Sequence, residues 1–362
     1  MTDRLMPHRL ILGTGRAGEW LRRIVVAIAL MIAAAASNAY ACTVSPPVTT
    51  DLGSYSSPAI QRSAVPAVRS RGGLSCASSL VTLLGGSYIR GRFSSANGFR
   101  LLRADGPGTI TYTASADPAG TVPFAQGTTV NYMQNNLLNV LGLLGGSSAD
   151  LPFFVKPSAA ASLPLGTYTD RVTITWSWYL CPGGIGLGGL CIGGAESGTG
   201  SAVIDVTLIV TRRDVTIALT NVATWDPDNG TRQPKTLPGG RGRLLVTISN
   251  PDLIPLDEGT FSILLPRPAG TTVALDGDGT ADAAVVRMSE GATPSTVAIR
   301  YAGPGDMTDD VDFSADAGGS WTFVPVAGDP ASQSQVTHVR VRPRGTMAKQ
   351  SSFAVSVPYL VR

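Results

Sequence analysis

Apolar and polar residues alternate with a period of two along much of this chain, and no stretch after residue 42 holds apolar residues at helical spacing for three turns. That pattern argues against helical bundles and doubly wound α/β folds, which need long amphipathic or buried helices. Between Val172 and Trp178, the residues Val172, Ile174, Trp176 and Trp178 alternate with threonine and serine. Ile204, Val206, Leu208 and Val210 repeat the pattern, as do Leu244, Val246 and Ile248. Phe261, Ile263 and Leu265 follow, then Phe353, Val355, Val357 and Tyr359. Side chains alternate across a strand, so each run offers one face to a core and one to water. The 42 glycines and 25 prolines are spread without a triplet period, which suits turns between many short strands. The expected fold class is all-β, with two β-sandwiches in tandem, and 362 residues are enough to fill both.

The first 41 residues read as an export signal. Arg22 and Arg23 precede the apolar run Ile24–Ala36, and Ala39-Tyr40-Ala41 gives the small-x-small cleavage pattern. The run is too short to cross a hydrocarbon layer of roughly 30 Å. The expected itinerary is export through the inner membrane, transit of the periplasm, and display outside the cell. Cys42 directly follows the cleavage motif, where a lipoprotein would be acylated, although Ala39 stands where that pattern has leucine. All four cysteines, Cys42, Cys76, Cys181 and Cys191, lie after the signal. An even count in an exported chain reads as disulfides. Three connectivities are open; Cys42–Cys76 with Cys181–Cys191 joins nearest neighbours in sequence, and zinc lacks any Cys-x-x-Cys or His pair.

Charge excludes several functions. The signal carries five arginines and two acids, so the formal +3 of the full chain falls to neutral once it is removed. A neutral chain has no general footprint for nucleic acid. Arg241/Arg243 and Arg340/Arg342/Arg344 are local basic runs that read as solvated strand faces. His338 is the only histidine after the signal, and Glu196, Glu258 and Glu290 are scattered in turn-like contexts. Catalytic triads, paired carboxylates and phosphate loops find no support, so no catalytic or cofactor-binding residue is expected. Asp276, Asp278 and Asp282 lie in Ala274-Leu-Asp-Gly-Asp-Gly-Thr-Ala-Asp282, which resembles an extracellular calcium loop with its first acid replaced by Ala274. The competing reading is a polar hairpin turn. Thr308-Asp-Asp-Val-Asp312 is a second acidic cluster.

A boundary falls near Thr211–Asp214, since every cysteine precedes it. The expected organisation is residues 1–41 as signal, 42–211 as one sandwich and 212–362 as another. Residues 42–211 resemble the spore coat protein U family, which includes subunits of archaic, Csu-type chaperone–usher pili. Cys42-Thr-Val-Ser45, Leu52-Gly-Ser-Tyr55, Cys76 and Thr111-Tyr112 carry the resemblance, together with Leu165-Gly-Thr-Tyr-Thr-Asp-Arg-Val-Thr-Ile-Thr175. The resemblance implies an immunoglobulin-like sandwich that lacks an edge strand, supplied by a periplasmic chaperone and then by a neighbouring subunit through β-strand addition. An outer-membrane usher is the third implied partner. Family members that polymerise carry an apolar extension before the first cysteine. Here Cys42 begins the mature chain, which suits a tip subunit that accepts a strand and donates none. Alternatively, Val215–Leu219 completes the first sandwich in cis. Residues 213–362 resemble an uncharacterised immunoglobulin-like repeat of bacterial secreted proteins, through Val246-Thr-Ile-Ser-Asn-Pro251, Pro268–Val273, Thr308–Phe323 and Val336–Pro343.

Two apolar segments stand out. Leu141, Leu143 and Leu144 lie in one flanked by Asn and Gly; Ile185, Leu187, Leu190 and Ile192 lie in a Gly-rich stretch between Cys181 and Gly194. Each reads either as an exposed adhesive finger for abiotic or host surfaces, or as ordinary packing. The function expected is a non-enzymatic surface protein, as a structural or tip adhesive subunit of a pilus; the alternative is a monomeric surface protein with a self-complete fold.

Overall fold

The computed structural model describes residues 42–76, 86–134, 149–181, 185–187, 190–192 and 195–362, with backbone only at 149, 185–187 and 190–192. The segment 1–41, expected as an export signal, and the apolar run containing Leu141, Leu143 and Leu144 lie outside the described residues.

The first half opens with β1 (Cys42–Val44), β2 (Val48–Tyr55), the short helix α1 (Ser57–Gln61), β3 (Val68–Cys76), β4 (Tyr88–Ser95), β5 (Arg100–Arg103), β6 (Thr109–Ser115) and β7 (Thr129–Asn131). It continues with β8 (Ala149–Pro157), β9 (Gly166–Leu180), the hairpin of β10 (Ile185–Leu187) and β11 (Leu190–Ile192), and β12 (Glu196–Val210). One layer runs β1-β3-β8-β6; the other places β9 between β12 on one side and β4 and β5 on the other. β6 joins the layers, since Arg100–Leu102 pair with its start and Pro157–Phe154 with its end. The paired runs Val172–Trp178 and Ala202–Val210 sit in register across β9 and β12 with their apolar residues inward. Alternation therefore translates directly into burial.

The two layers meet at Trp176. It is fully buried on β9, and its indole N–H donates to the Gly72 carbonyl on β3 at 2.8 Å. The register between β3 and β8 shifts between Arg71 and Ser75, so Gly72 and Gly73 form a bulge beneath the indole. No other residue fits there. A Cβ on Gly72 would stand 2.4 Å from the Leu151 carbonyl, and one on Gly73, where φ is +74°, would stand 2.4 Å from the Ala202 Cβ. Phe93 and Tyr132 pack against the same ring at centroid distances of 6.4 and 5.4 Å. Cys42 and Cys76 are directly opposite in the β1–β3 ladder and joined by a disulfide. Cys181 is also disulfide-bonded; the fourth cysteine, Cys191, sits in β11, whose side chains lie outside the described residues.

The second half comprises β13 (Thr216–Trp225), β14 (Arg241–Asn250), β15 (Ile263–Pro266), β16 (Thr271–Val273), β17 (Arg287–Glu290), β18 (Val311–Ser314), the helix α2 (Pro330–Gln335), β19 (His338–Val341) and β20 (Ser351–Val361). One sheet runs β13-β14-β20-β16 with β17 also on β20; a three-stranded sheet runs β15-β19-β18. Leu244, Val246 and Ile248 face Phe353, Val355 and Val357 within a core distinct from that of the first half. Phe261 falls just before β15 and packs partly buried against this core. Both helices are single turns capped by Ser56 and Asp329, in keeping with the missing helical periodicity. The Ser56 hydroxyl also donates to Asp252 Oδ2 at 2.7 Å, which ties the α1 cap to the second half.

Replacing both Cys42 and Cys76 by serine opens a loop spanning a sequence separation of 34. Stability is expected to fall by about 3–4 kcal/mol, read as a lower urea midpoint in the double variant.

Candidate functional site

The most specific stretch of the family resemblance, Gly166–Thr175, forms the start of β9, and its acid is structural. Asp170 is buried. Its carboxylate accepts from Ser95 Oγ at 2.5 Å, Tyr112 Oη at 2.6 Å and the backbone N–H of Asn97 at 3.1 Å. Burial, with Asp170 beside it, pushes the Tyr112 hydroxyl well above its usual range, so it stays a donor. One carboxylate thus pins the 95–99 turn and β6 onto β9.

The three calcium candidates are brought together, but around arginines. Asp278 is fully buried; it takes Arg243 Nη1 at 3.2 Å and Arg287 Nη1 at 2.7 Å, and Thr280 Oγ1 donates to it at 2.6 Å. Asp276 holds Arg241 through two bonds of 2.8 and 2.7 Å, and Asp282 lies 3.0 Å from Arg287 Nε. Guanidinium charge occupies the loop where a cation would sit, so the polar-turn reading of this loop fits the geometry. Arg243 is itself buried, against the expected solvated face. Its remaining N–H groups donate to Ser356 Oγ and to the carbonyls of Ala284, Val285 and Ser356. Burial lowers the Arg243 pKa. The other basic run is paired as well. Arg340 and Arg342 lie 2.7 and 3.0 Å from Asp312, and Arg344 contacts Asp310. Sequence reasoning had both partners, Thr308–Asp312 and Arg340–Arg344, but not their pairing across β18 and β19. His338 is half-buried in β19. Among the described residues no three His, Cys, Asp or Glu side chains are grouped as a metal site.

The edges of the two halves differ. In the first half, β12 is flanked by β9 and, in parallel, by β2, so this last strand has no free edge. The open edge implied for the first half is therefore not at β12. Nor does Val215–Leu219 complete that sandwich: Thr216–Trp225 pair with β14 instead. β13 is itself an edge strand. Ile217 stands opposite Ile248 and Leu219 opposite Val246, so both are on the core-facing side of the sheet. Yet Ile217 is 68% exposed and Leu219 is 51% exposed, while their partners are buried. Among the described residues no layer covers this row, and β13 pairs on one side only. Sequence alternation had located the strand; its lack of cover is a property of the assembled sheets.

The adhesive-loop candidates form a hairpin in which Ile185 pairs with Ile192 and Leu187 with Leu190. Their side chains lie outside the described residues, as do Leu141, Leu143 and Leu144.

Residues 28–175 match the sequence model of the Spore Coat Protein U domain. Among solved structures, the chain is similar to the CsuC–CsuE chaperone–tip adhesion subunit pre-assembly complex from archaic chaperone–usher Csu pili of Acinetobacter baumannii. That match has 13% identity and a TM-score of 0.39, covering 88% of this chain and 100% of that one. A protein of Corynebacterium diphtheriae described as membrane anchored matches at 9% identity and a TM-score of 0.20, over 88% of this chain and 50% of that one. No curated protein sequence matches the chain.

Two outcomes follow from the arginine–aspartate centre. Asp278→Ala strands Arg243 in the interior and is expected to cost about 2–4 kcal/mol, read from the urea midpoint. The second concerns acid. Burial pushes the Asp226 carboxyl up, but hydrogen bonds from Asn229, Lys235 and Asp228 outweigh it and hold it at about 2. Asp278 is likewise held low by Thr280 and Arg243 against the opposing push of burial. Carboxyls depressed in the fold contribute stability above their unfolded pKa of about 4 and lose it as pH falls through the folded value. The melting temperature is expected to hold down to about pH 4 and to drop between about pH 4 and 2.

Proposed function

From the match of residues 28–175 to the Spore Coat Protein U domain, we propose that this chain is a non-enzymatic surface protein that works as a pilus-associated subunit accepting a β-strand from a partner. The observation that carries the reading is the uncovered row Ile217–Leu219 on the one-sided strand β13. It offers what strand addition uses: free backbone donors and acceptors along an edge, and apolar side chains awaiting cover. The partners are a periplasmic chaperone, an outer-membrane usher and a neighbouring subunit. The chain divides into 42–211 and 212–362 after an export signal, and the second unit takes the strand. Residues 42–44 pair with β3 and Cys42 is bridged to Cys76, which fits a subunit with no donor segment after its cleavage site and hence a place at the tip. At a tip, the hairpin of Ile185, Leu187, Leu190 and Ile192 serves as an apolar contact for abiotic or host surfaces.

A second reading, a monomeric surface protein without a pilus role, draws on the closed edge of β12. One experiment separates the two. The mature chain is expressed with and without a Csu-type chaperone, then melted with a synthetic strand of alternating apolar residues. On the pilus reading the strand peptide at about 100 times its dissociation constant raises the melting temperature by about 5–10 °C. The variant Ile217→Asp/Leu219→Asp keeps the starting melt, because both positions are exposed, and loses that gain. A sharp, peptide-independent melt of a chain that is soluble without chaperone transfers the assignment to the monomeric reading.

A further inference from the structure

On the outward face of β4, β9 and β12, Arg90 and Arg92 are exposed and form no ion pair among the described residues. Asp205, on the same sheet face, is taken by Arg171 at 2.7 Å. Arg92 spends its Nε on the Gly127 carbonyl at 3.1 Å. The Arg90 guanidinium lies 4.1 Å over the Tyr88 ring, and Tyr88 stacks on Tyr179 at 6.1 Å across β4 and β9.

Register sets the remaining chemistry. Arg90 pairs with Ser177, which pairs with Thr199; Arg92 pairs with Thr175, which pairs with Ser201. Directly opposed residues share a face, so from each arginine a row of hydroxyls about 5 Å apart crosses the sheet, and the two rows lie about 7 Å apart along the strands. Beside them lie two tyrosine rings. The inward neighbours Ile89, Trp178 and Ile174 are buried, which confirms the orientation of the rows.

We infer that this face binds an acidic polysaccharide. Guanidiniums recognise carboxylate or sulfate, short hydroxyls meet sugar hydroxyls, and the Tyr88 ring beneath the Arg90 guanidinium holds that side chain in place. Two arginines on one face are few beside the many phosphate contacts from which nucleic-acid binding draws its strength. The inference does not rest on strand acceptance at β13, which uses the other half of the molecule.

The test uses the disulfide-bonded mature chain on immobilised polygalacturonate, dextran sulfate, neutral dextran and double-stranded DNA. Retention on polygalacturonate or dextran sulfate above neutral dextran is expected, and the stronger of the two identifies carboxylate or sulfate as the anion. Arg90→Gln/Arg92→Gln should weaken that binding about tenfold or more with an unchanged melting temperature, because both side chains are exposed. A variant that binds as tightly as the parent overturns the inference, as does equal retention on neutral dextran or tightest retention on DNA.

Discussion

Everything in the first half depends on the Trp176 indole reaching across the sandwich to the Gly72 carbonyl. A tryptophan has the bulk to span between sheets roughly 10 Å apart, but its N–H must find a partner when buried. The bulge at Gly72–Gly73 supplies that partner and removes the two Cβ atoms that would block the ring. Once the indole is seated, Phe93, Tyr132 and Phe153 fill the space around it, and β9 becomes the spine on which β4, β5 and β12 align. Asp170 fastens the same strand at its other end, by gathering Ser95, Asn97 and Tyr112.

Charge is handled differently in the two halves. The second half turns its acids and arginines on each other: Asp278 with Arg243 and Arg287, Asp312 with Arg340 and Arg342. A buried carboxylate and guanidinium tolerate the loss of water only because every remaining N–H of Arg243 finds an oxygen. A loop whose aspartates sit at calcium-like spacing is thereby an internal ionic joint. The first half leaves Arg90 and Arg92 exposed beside the hydroxyls of β9 and β12.

The edges complete the contrast. An exposed strand edge invites pairing, and proteins normally cover or charge it. β12 is covered by β2 in parallel. β13 is neither covered nor charged, and it carries Ile217 and Leu219 toward a layer that is not there.

Much of the architecture was legible in the residues. Alternation located β9, β12, β14 and β20 and identified their inward faces, because a strand's period of two is a local property that no distant contact can change. The even cysteine count pointed to disulfides, and Cys42–Cys76 joined the nearest pair in sequence. What tertiary structure alone decided was which groups meet. Nothing local tells Asp278 that it will face Arg243 and not a cation, or Arg344 that Asp310 awaits it across two strands. Nor can the sequence of Thr216–Trp225 reveal that its partner sheet stops short: alternation specifies that a strand has a core face, while only the assembled layers determine whether anything lies upon it.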